Sequence, residues 1–349
     1  MRLGVSMGYV LDHHIQDQVA LVREAERLGY VVAWVGEAYG SDAVSVISYL
    51  AAHTERIDVG AAVLQIPART PAMTAMTAAS LDLLSQGRFR LGLGVSGPQV
   101  SEGWHGVRFA SPLARTREYV EIVRQALGGQ PVRYDGEFFT LPLPAGAGKA
   151  LTLSLHPFRD DLPLYLGAVG PRNLELAGEI ADGWLAIFFS PDHSGQAWAS
   201  IGRGRDRAGR TDIPFDVSAT VPVSVGMDLD ECAASIRGYA ALYIGGMGSR
   251  EQNFYNQLAV RMGFEAEAAL VQDLYLDRRH REAMAAVPHD FIDQTSLIGP
   301  KERIAERLHS FADAGVTTLT VASFGRDLAA RIRDLRHVAG ALEASGLAD

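Results

Sequence analysis

The sequence predicts an α/β fold, a (β/α)8 TIM barrel carrying insertions. Three features carry that prediction. Short β-branched or aliphatic runs alternate with longer stretches of helical apolar spacing, eight such runs can be counted, and 349 residues suit eight βα units with additions. An open doubly wound sheet is the competing architecture for the same alternation.

In order, residues 3–7 form the first strand run and 15–28 the first helix, with Val19, Leu21, Val22, Ala25 and Leu28 on one side and Gly29 as its stop. Residues 31–36 are the second strand, 42–53 a helix, 57–64 a strand, and 71–84 a helix with Pro71 in its first turn. Residues 89–95 are the fourth strand, and 116–127 a helix. The stretch 132–141 alternates around Asp135-Gly136, a hairpin signal. Strands follow at 162–167, 183–189 and 215–225, with helices at 171–180 and 197–208 between them. Residues 245–293 read as mostly helical and do not fit the repeat, and 304–314, 317–322 and 328–342 close the pattern as helix, strand and helix. The whole is read as one domain over residues 1–349, with insertions around 98–112, 130–160 and 245–293.

Hydrophobic residues make up 48% of the chain, enough for a full core, which excludes a disordered or fibrous protein. No apolar run approaches the ~20 residues that span a bilayer, and the first residues lack a secretory signal pattern, so a cytoplasmic location is expected. The single Cys232 forms neither an internal disulfide nor a multi-cysteine metal site, in keeping with a reducing compartment. A formal net charge of −9 disfavours nucleic acid and anionic membranes as partners. A small molecule is the expected partner.

Several motifs have to be weighed against ordinary packing. Gly92 to Gly97 fits GxGxxG after a strand, but Pro98, Gly103 and Gly106 interrupt the helix that a dinucleotide turn requires; close packing of a glycine-rich strand is the better reading. Gly146 to Lys149 ends like a phosphate loop, yet Leu143 replaces its first glycine and Ala150 its hydroxyl. Asp12, His13 and His14 invite a metal, but no second ligand cluster completes a shell, so no metal is expected.

The turn Gly167-Ala168-Val169-Gly170-Pro171-Arg172-Asn173 joins a strand end to a helix with proline in its first turn. Free backbone N–H groups face outward there, where an anion can bind. Glu37, Gln65 and Ser96 follow the second, third and fourth strands, and so share the active face of a barrel. Glu102, Trp104 and His105 occupy one irregular loop, a composition suited to substrate contact or proton transfer, although an apolar plug and a surface histidine explain it equally.

These residues together resemble the luciferase-like monooxygenase superfamily, and within it the branch that uses the deazaflavin coenzyme F420, which includes methylenetetrahydromethanopterin reductase. The resemblance covers most of the chain. It is carried by Trp34 to Glu37, by Ala61 to Pro71 running into the helix that ends at Phe89, by Leu91 to Val100, by Glu102 to Gly106, and by Gly178 to Trp184. It implies a barrel with the deazaflavin in its mouth and a non-proline cis peptide after the third strand, matching Ala62–Val63. It further implies that Gln65 flanks the ring, that Glu37 lies near the ring's polar end, that Val95, Ser96 and Val100 line the tail, and that Ala168, Val169, Gly170, Arg172 and Asn173 meet the phosphate. Sugar-phosphate dehydrogenase relatives carry a histidine and a glutamate where this chain has Ala38 and Gly97, so that activity is not implied.

The function expected is hydride transfer between coenzyme F420 and a small organic substrate, with Glu102 and His105, or Glu37, as candidates for any accompanying proton. The alternatives are an FMN-dependent monooxygenase and a flavin- or deazaflavin-binding protein without turnover. The resemblance allows a homodimer through barrel helices, and the sequence marks no interface patch, so the oligomeric state stays open.

Overall fold

A computed structural model describes residues 1–8 and 15–347, and in it eight parallel strands close into a barrel. The strands are β1 (Arg2–Gly8), β2 (Val32–Val35), β3 (Asp58–Ala61), β4 (Phe89–Gly94), β5 (Leu164–Gly167), β6 (Gly183–Ile187), β7 (Asp216–Val225) and β8 (Thr318–Ser323). Neighbours in sequence pair from β1 to β8, and β8 pairs back on β1, so no edge is left open. The closed ring decides against the open sheet.

The helices are α1 (Ile15–Arg27), α2 (Ala43–Ala51), α3 (Pro71–Leu84), α4 (Pro112–Leu127), α5 (Pro171–Ile180) and α6 (Gly195–Arg207). They continue with α7 (Leu229–Ala241), α8 (Phe254–Arg261), α9 (Glu265–Leu276), α10 (His280–Ala286), α11 (His289–Thr295), α12 (Lys301–Asp313) and α13 (Leu328–Ser345). Local chemistry sets their starts. Asp42 accepts from the Ser45 N–H at 2.8 Å ahead of α2, and Thr70 from Met73 at 3.2 Å ahead of α3, whose first residue is Pro71. No helix among the described residues is long and apolar enough to cross a membrane.

Two layers of side chains fill the barrel below its mouth. At the floor, Arg90 donates to Asp58 (2.7 Å) and Asp216 (3.3 Å), while Asp216 also accepts from Arg2 (3.0 Å), the Tyr165 hydroxyl (2.9 Å) and Thr318 (2.9 Å). Arg90 is buried, Arg2, Asp58 and Asp216 are partly buried, and the charges are mutually satisfied. Above them Val32, Trp34, Tyr165 and Leu185 pack together, with Trp34 and Tyr165 edge to face at 5.2 Å. On the outside, the Glu24 carboxylate of α1 bonds to Arg27 and to Arg336 of α13. Its hydrogen bond to Arg27 leads in pulling it down from 4.5 to about 2, so the first and last helices are tied.

The structure corrects several sequence expectations. The strand read over 57–64 breaks after Ala61: the Ala62–Val63 peptide is cis, as the resemblance implies, and Leu64–Gln65 then pairs with β4. A short helix, Pro98–Gly103, does open directly after the GxGxxG stretch, because Pro98 pre-sets its first turn. Helix α4 begins at Pro112, four residues before the expected 116, for the same reason. The hairpin pairs Tyr134–Asp135 with Thr140–Leu141, and its turn lies over 136–139, where Glu118 accepts from the N–H groups of Glu137, Phe138 and Phe139. Helix α7 was absent from the sequence reading, although Asp228 caps it through the N–H groups of Asp230 and Glu231. So was the short strand Leu297–Gly299, which pairs with the end of β7 and is too short to show alternation.

Candidate active site at the barrel mouth

The three polar residues at the ends of β2, β3 and β4 meet as one hydrogen-bonded chain. Ser96 Oγ donates to Gln65 Oε1 (2.9 Å), Gln65 Nε2 donates to the Ala38 carbonyl (2.7 Å), and the Gln65 N–H donates to Glu37 Oε2 (3.2 Å). Ser96 holds a left-handed backbone, φ 59°, which costs a non-glycine residue energy and aims the hydroxyl. Glu37 is nearly buried and also accepts from the Ala43 N–H (3.2 Å) and from both terminal nitrogens of Arg69 (2.5 and 2.8 Å). Arg69 continues to Asp42 at 2.7 Å. With four donors on its two oxygens, Glu37 acts as a clamp between the β2 and β3 ends.

The Ala62–Val63 bulge forms the apolar floor of the mouth. Both residues pack on the Trp34, Tyr165 and Leu185 cluster. The bulge has room because β4 has glycines beside it: a Cβ at Gly92 would overlap the Ala61 carbonyl oxygen, and one at Gly94 the Val63 side chain. A Cβ at Gly167, across the mouth, would stand 3.1 Å from Val63 Cγ1. The glycine-rich strand of the GxGxxG stretch is thus explained by close packing.

The β5 turn supplies the other half of the site. Ala168 is buried and its carbonyl accepts from Trp184 Nε1 (2.9 Å), Asn173 Nδ2 donates to the Gly167 carbonyl (3.4 Å), and Val169 accepts from Arg261 (3.1 Å). These bonds fix the turn from three sides. Gly170 precedes α5 without any capping side chain, a Cβ there would meet nothing within 4 Å, and Arg172 is exposed beside it. The first-turn N–H groups of α5 are therefore presented to an incoming anion.

Val95 and Val100 belong to the β4 loop, which includes the remaining candidates. Glu102 is exposed and its carboxylate accepts from the Phe109 N–H (2.9 Å), closing the loop on itself. Trp104 is 66% exposed and so plugs no apolar gap. His105 Nε2 is buried and has no hydrogen-bond partner among the described residues. Among the described residues no hydrogen bond joins Glu102 or His105 to the Glu37–Gln65–Ser96 chain. Asp12, His13 and His14 lie outside the described residues, and those residues contain no group of three or more His, Cys, Asp or Glu that could hold a metal.

The segment between β7 and β8 roofs this region. Helix α7 widens into a π-helical turn at Leu242–Gly246. Asn253 donates to the carbonyls of Tyr243 (3.0 Å) and Ile244 (2.8 Å), satisfying groups that a regular helix would have paired. Phe254 meets Phe109 of the β4 loop at 6.2 Å, and Phe188, at the end of β6 with φ 49°, packs on Tyr239, Tyr243 and Phe291 at 5.3 to 5.5 Å. Beside the β5 turn a cavity of about 290 Å3 opens between that turn, the β6 end and α8.

Sequence reasoning missed Arg69, the β6 end and Arg261. Arg69 lay within the stretch that carried the resemblance, and the rule that active faces collect strand ends points to residues 188–193. Arg261 had no such signal, because α8 sits in the segment without clear pattern.

The barrel and its cis bulge define a class, and residues 1–318 match the luciferase-like monooxygenase family: the chain belongs to it. It is an oxidoreductase. A protein of Mycobacterium tuberculosis (strain H37Rv), provisionally named a coenzyme F420-dependent oxidoreductase, is 41% identical over 95% of this chain and 99% of its own. The 5,10-methylenetetrahydromethanopterin reductase of Archaeoglobus fulgidus is 29% identical over 93% of each chain. Among solved structures, the coenzyme F420-dependent tetrahydromethanopterin reductase of Methanopyrus kandleri superposes with a TM-score of 0.79 at 25% identity, covering 97% of this chain and 98% of its own.

Proposed function

We propose that the protein is a cytoplasmic, coenzyme F420-dependent oxidoreductase that transfers a hydride between the deazaflavin and a small organic substrate. The observation that carries this reading is the two-part mouth: an apolar floor at Ala62–Val63 for a flat ring, and an uncapped helix start at Gly170–Asn173 for a phosphate. The named relatives support the same cofactor.

When bound, the deazaflavin supplies the carbon that carries the hydride. The residues of this chain have the tasks of orienting and enclosing it. Ala62 and Val63 back the ring, Gln65 flanks it and Ser96 lines the tail, and the last two, each already fixed by hydrogen bonds, have little freedom left to lose. Glu37 holds these groups in register through the bonds described above. Val95 and Val100 border the tail, and the N–H groups of Arg172 and Asn173, with the Arg172 guanidinium, receive the phosphate. The aromatic roof excludes water. His105, with its unpartnered Nε2, and Glu102 are the groups proposed to move a proton.

Titration with oxidised coenzyme F420 and, separately, FMN tests the reading through tryptophan quenching. Micromolar or tighter F420 binding with weaker FMN binding is expected, followed by substrate-dependent bleaching of the deazaflavin band. Preference for FMN with oxygen uptake overturns it in favour of monooxygenation, and F420 retention with no bleaching across a substrate screen makes the protein a binder without turnover.

A homodimer is part of the proposal. Met73, Met76, Leu83 and Leu84 are 47–66% exposed and fall on one side of α3, an apolar stripe a second copy would cover. Sedimentation is expected to give a dimer that Met76→Glu dissociates; a wild-type monomer at micromolar concentration rules it out.

A further inference from the structure

The cavity beside the β5 turn contains a cation that no acid among the described residues neutralises. Arg261 is half-buried, one of its five N–H donors goes to the Val169 carbonyl, and among the described residues it has no carboxylate partner. Burial alone pulls its guanidinium below its ordinary value. Asp192 also lines the cavity, but it is exposed and forms no ion pair with Arg261. Other partly buried arginines are answered by acids, as Arg69 is by Glu37, Arg90 by Asp58 and Asp216, and Arg117 by Glu179, or by several backbone carbonyls, as Arg88 and Arg307 are. A half-buried guanidinium kept without an acid, with donors free, is a site for an anion brought from outside.

The walls restrict what that anion is attached to. Trp184, Phe188, Phe189, Leu258 and Met262 make the lining mainly apolar, and about 290 Å3 is close to the lower end of small-ligand pockets, ~300 Å3. We propose that this cavity binds an organic acid, with its carboxylate on Arg261 and an apolar body against Trp184, Phe188 and Phe189. A planar guanidinium takes a carboxylate through two parallel N–H···O bonds, which a neutral amide cannot reproduce. The carboxylate has two possible sources: a free acid, which the apolar walls favour, or the glutamate tail of the cofactor, and this second source rests on the F420 reading.

Octanoate and octanamide serve as probes, read by tryptophan fluorescence because Trp184 lines the cavity. Wild-type protein is expected to prefer octanoate by about tenfold or more, the worth of a charge-assisted bond to a partly buried group. Arg261→Gln, which keeps an N–H donor for Val169, is expected to abolish that preference, while Asp192→Asn preserves it. Equal affinity of wild type for the two probes overturns the proposal without depending on any variant, as does an unchanged preference in folded Arg261→Gln. In a second arm, the ring-and-ribityl deazaflavin, the form with phosphate but no glutamates, and the polyglutamylated form are titrated separately. Affinity that rises with glutamates in wild type and not in Arg261→Gln assigns the carboxylate to the cofactor tail. Absence of tail dependence together with octanoate selectivity assigns it to a free acid. Failure of the ring-and-ribityl form to bind counts against the F420 reading alone and leaves the octanoate result standing.

Discussion

Arg69→Ala is expected to lower stability by about 3–5 kcal/mol, the usual cost of removing one partner from a buried ion pair. Glu37 and Arg69 side chains are 7% and 14% exposed, so water cannot readily replace the lost guanidinium. The uncompensated carboxylate would still accept from the N–H groups of Gln65 and Ala43, which limits the loss but leaves a charge in a low-dielectric mouth. Because the Gln65 N–H belongs to that clamp, the Gln65–Ser96 pair would loosen as well, and F420 affinity should fall along with stability. Urea unfolding and F420 titration of the same sample check both effects. The double variant Glu37→Gln/Arg69→Gln should recover part of the stability, since the one charge left without Arg69, Asp42, is half exposed; a single-variant loss below about 1 kcal/mol would refute the clamp.

Gly92→Ala is expected to cost about 3 kcal/mol, at the upper end for overpacking, although it adds one methyl group. The new Cβ would run into the Ala61 carbonyl oxygen and stand 2.7 Å from Leu185 Cδ1, so the bulge itself has to move, and with it the floor formed by Ala62 and Val63. Gly170→Ala supplies the contrast within one protein. Its Cβ faces open space and its backbone, φ −81° and ψ 153°, suits any residue, so stability should change by less than about 0.5 kcal/mol. Thermal melts of the two variants decide the matter, and similar losses in both would show that crowding at the bulge is not what fixes Gly92.

The comparison of glycines also shows how legible the chain was. Period and punctuation alone located the eight barrel strands and helices such as 71–84 and 171–180, because parallel strands buried on both faces and proline-initiated helices leave strong local signals. Where a signal is longer-ranged, the reading failed. Periodicity does not show strand 57–64 breaking at Ala61, which the family resemblance alone implies, since the break exists only against Gly92 and Gly94 of β4. Strand Leu297–Gly299 is defined by pairing with β7 rather than by its own three residues.

The site divides the same way. Glu37, Gln65, Ser96 and the Gly167–Asn173 turn were visible as polar or glycine-containing positions at strand ends, and the family resemblance rested on those stretches. That Glu37 is saturated by Arg69, Gln65 and Ala43, that Glu102 spends its carboxylate on the Phe109 N–H, and that Arg261 reaches the β5 turn from α8 were decided by tertiary structure. The sequence by itself determined the barrel, because backbone periodicity and turn chemistry act over a few residues, and the family through the resemblance of its motifs. Only the folded chain decided which charged side chains are consumed and which stay free, because pairing depends on distances between groups 6 to 92 residues apart in sequence.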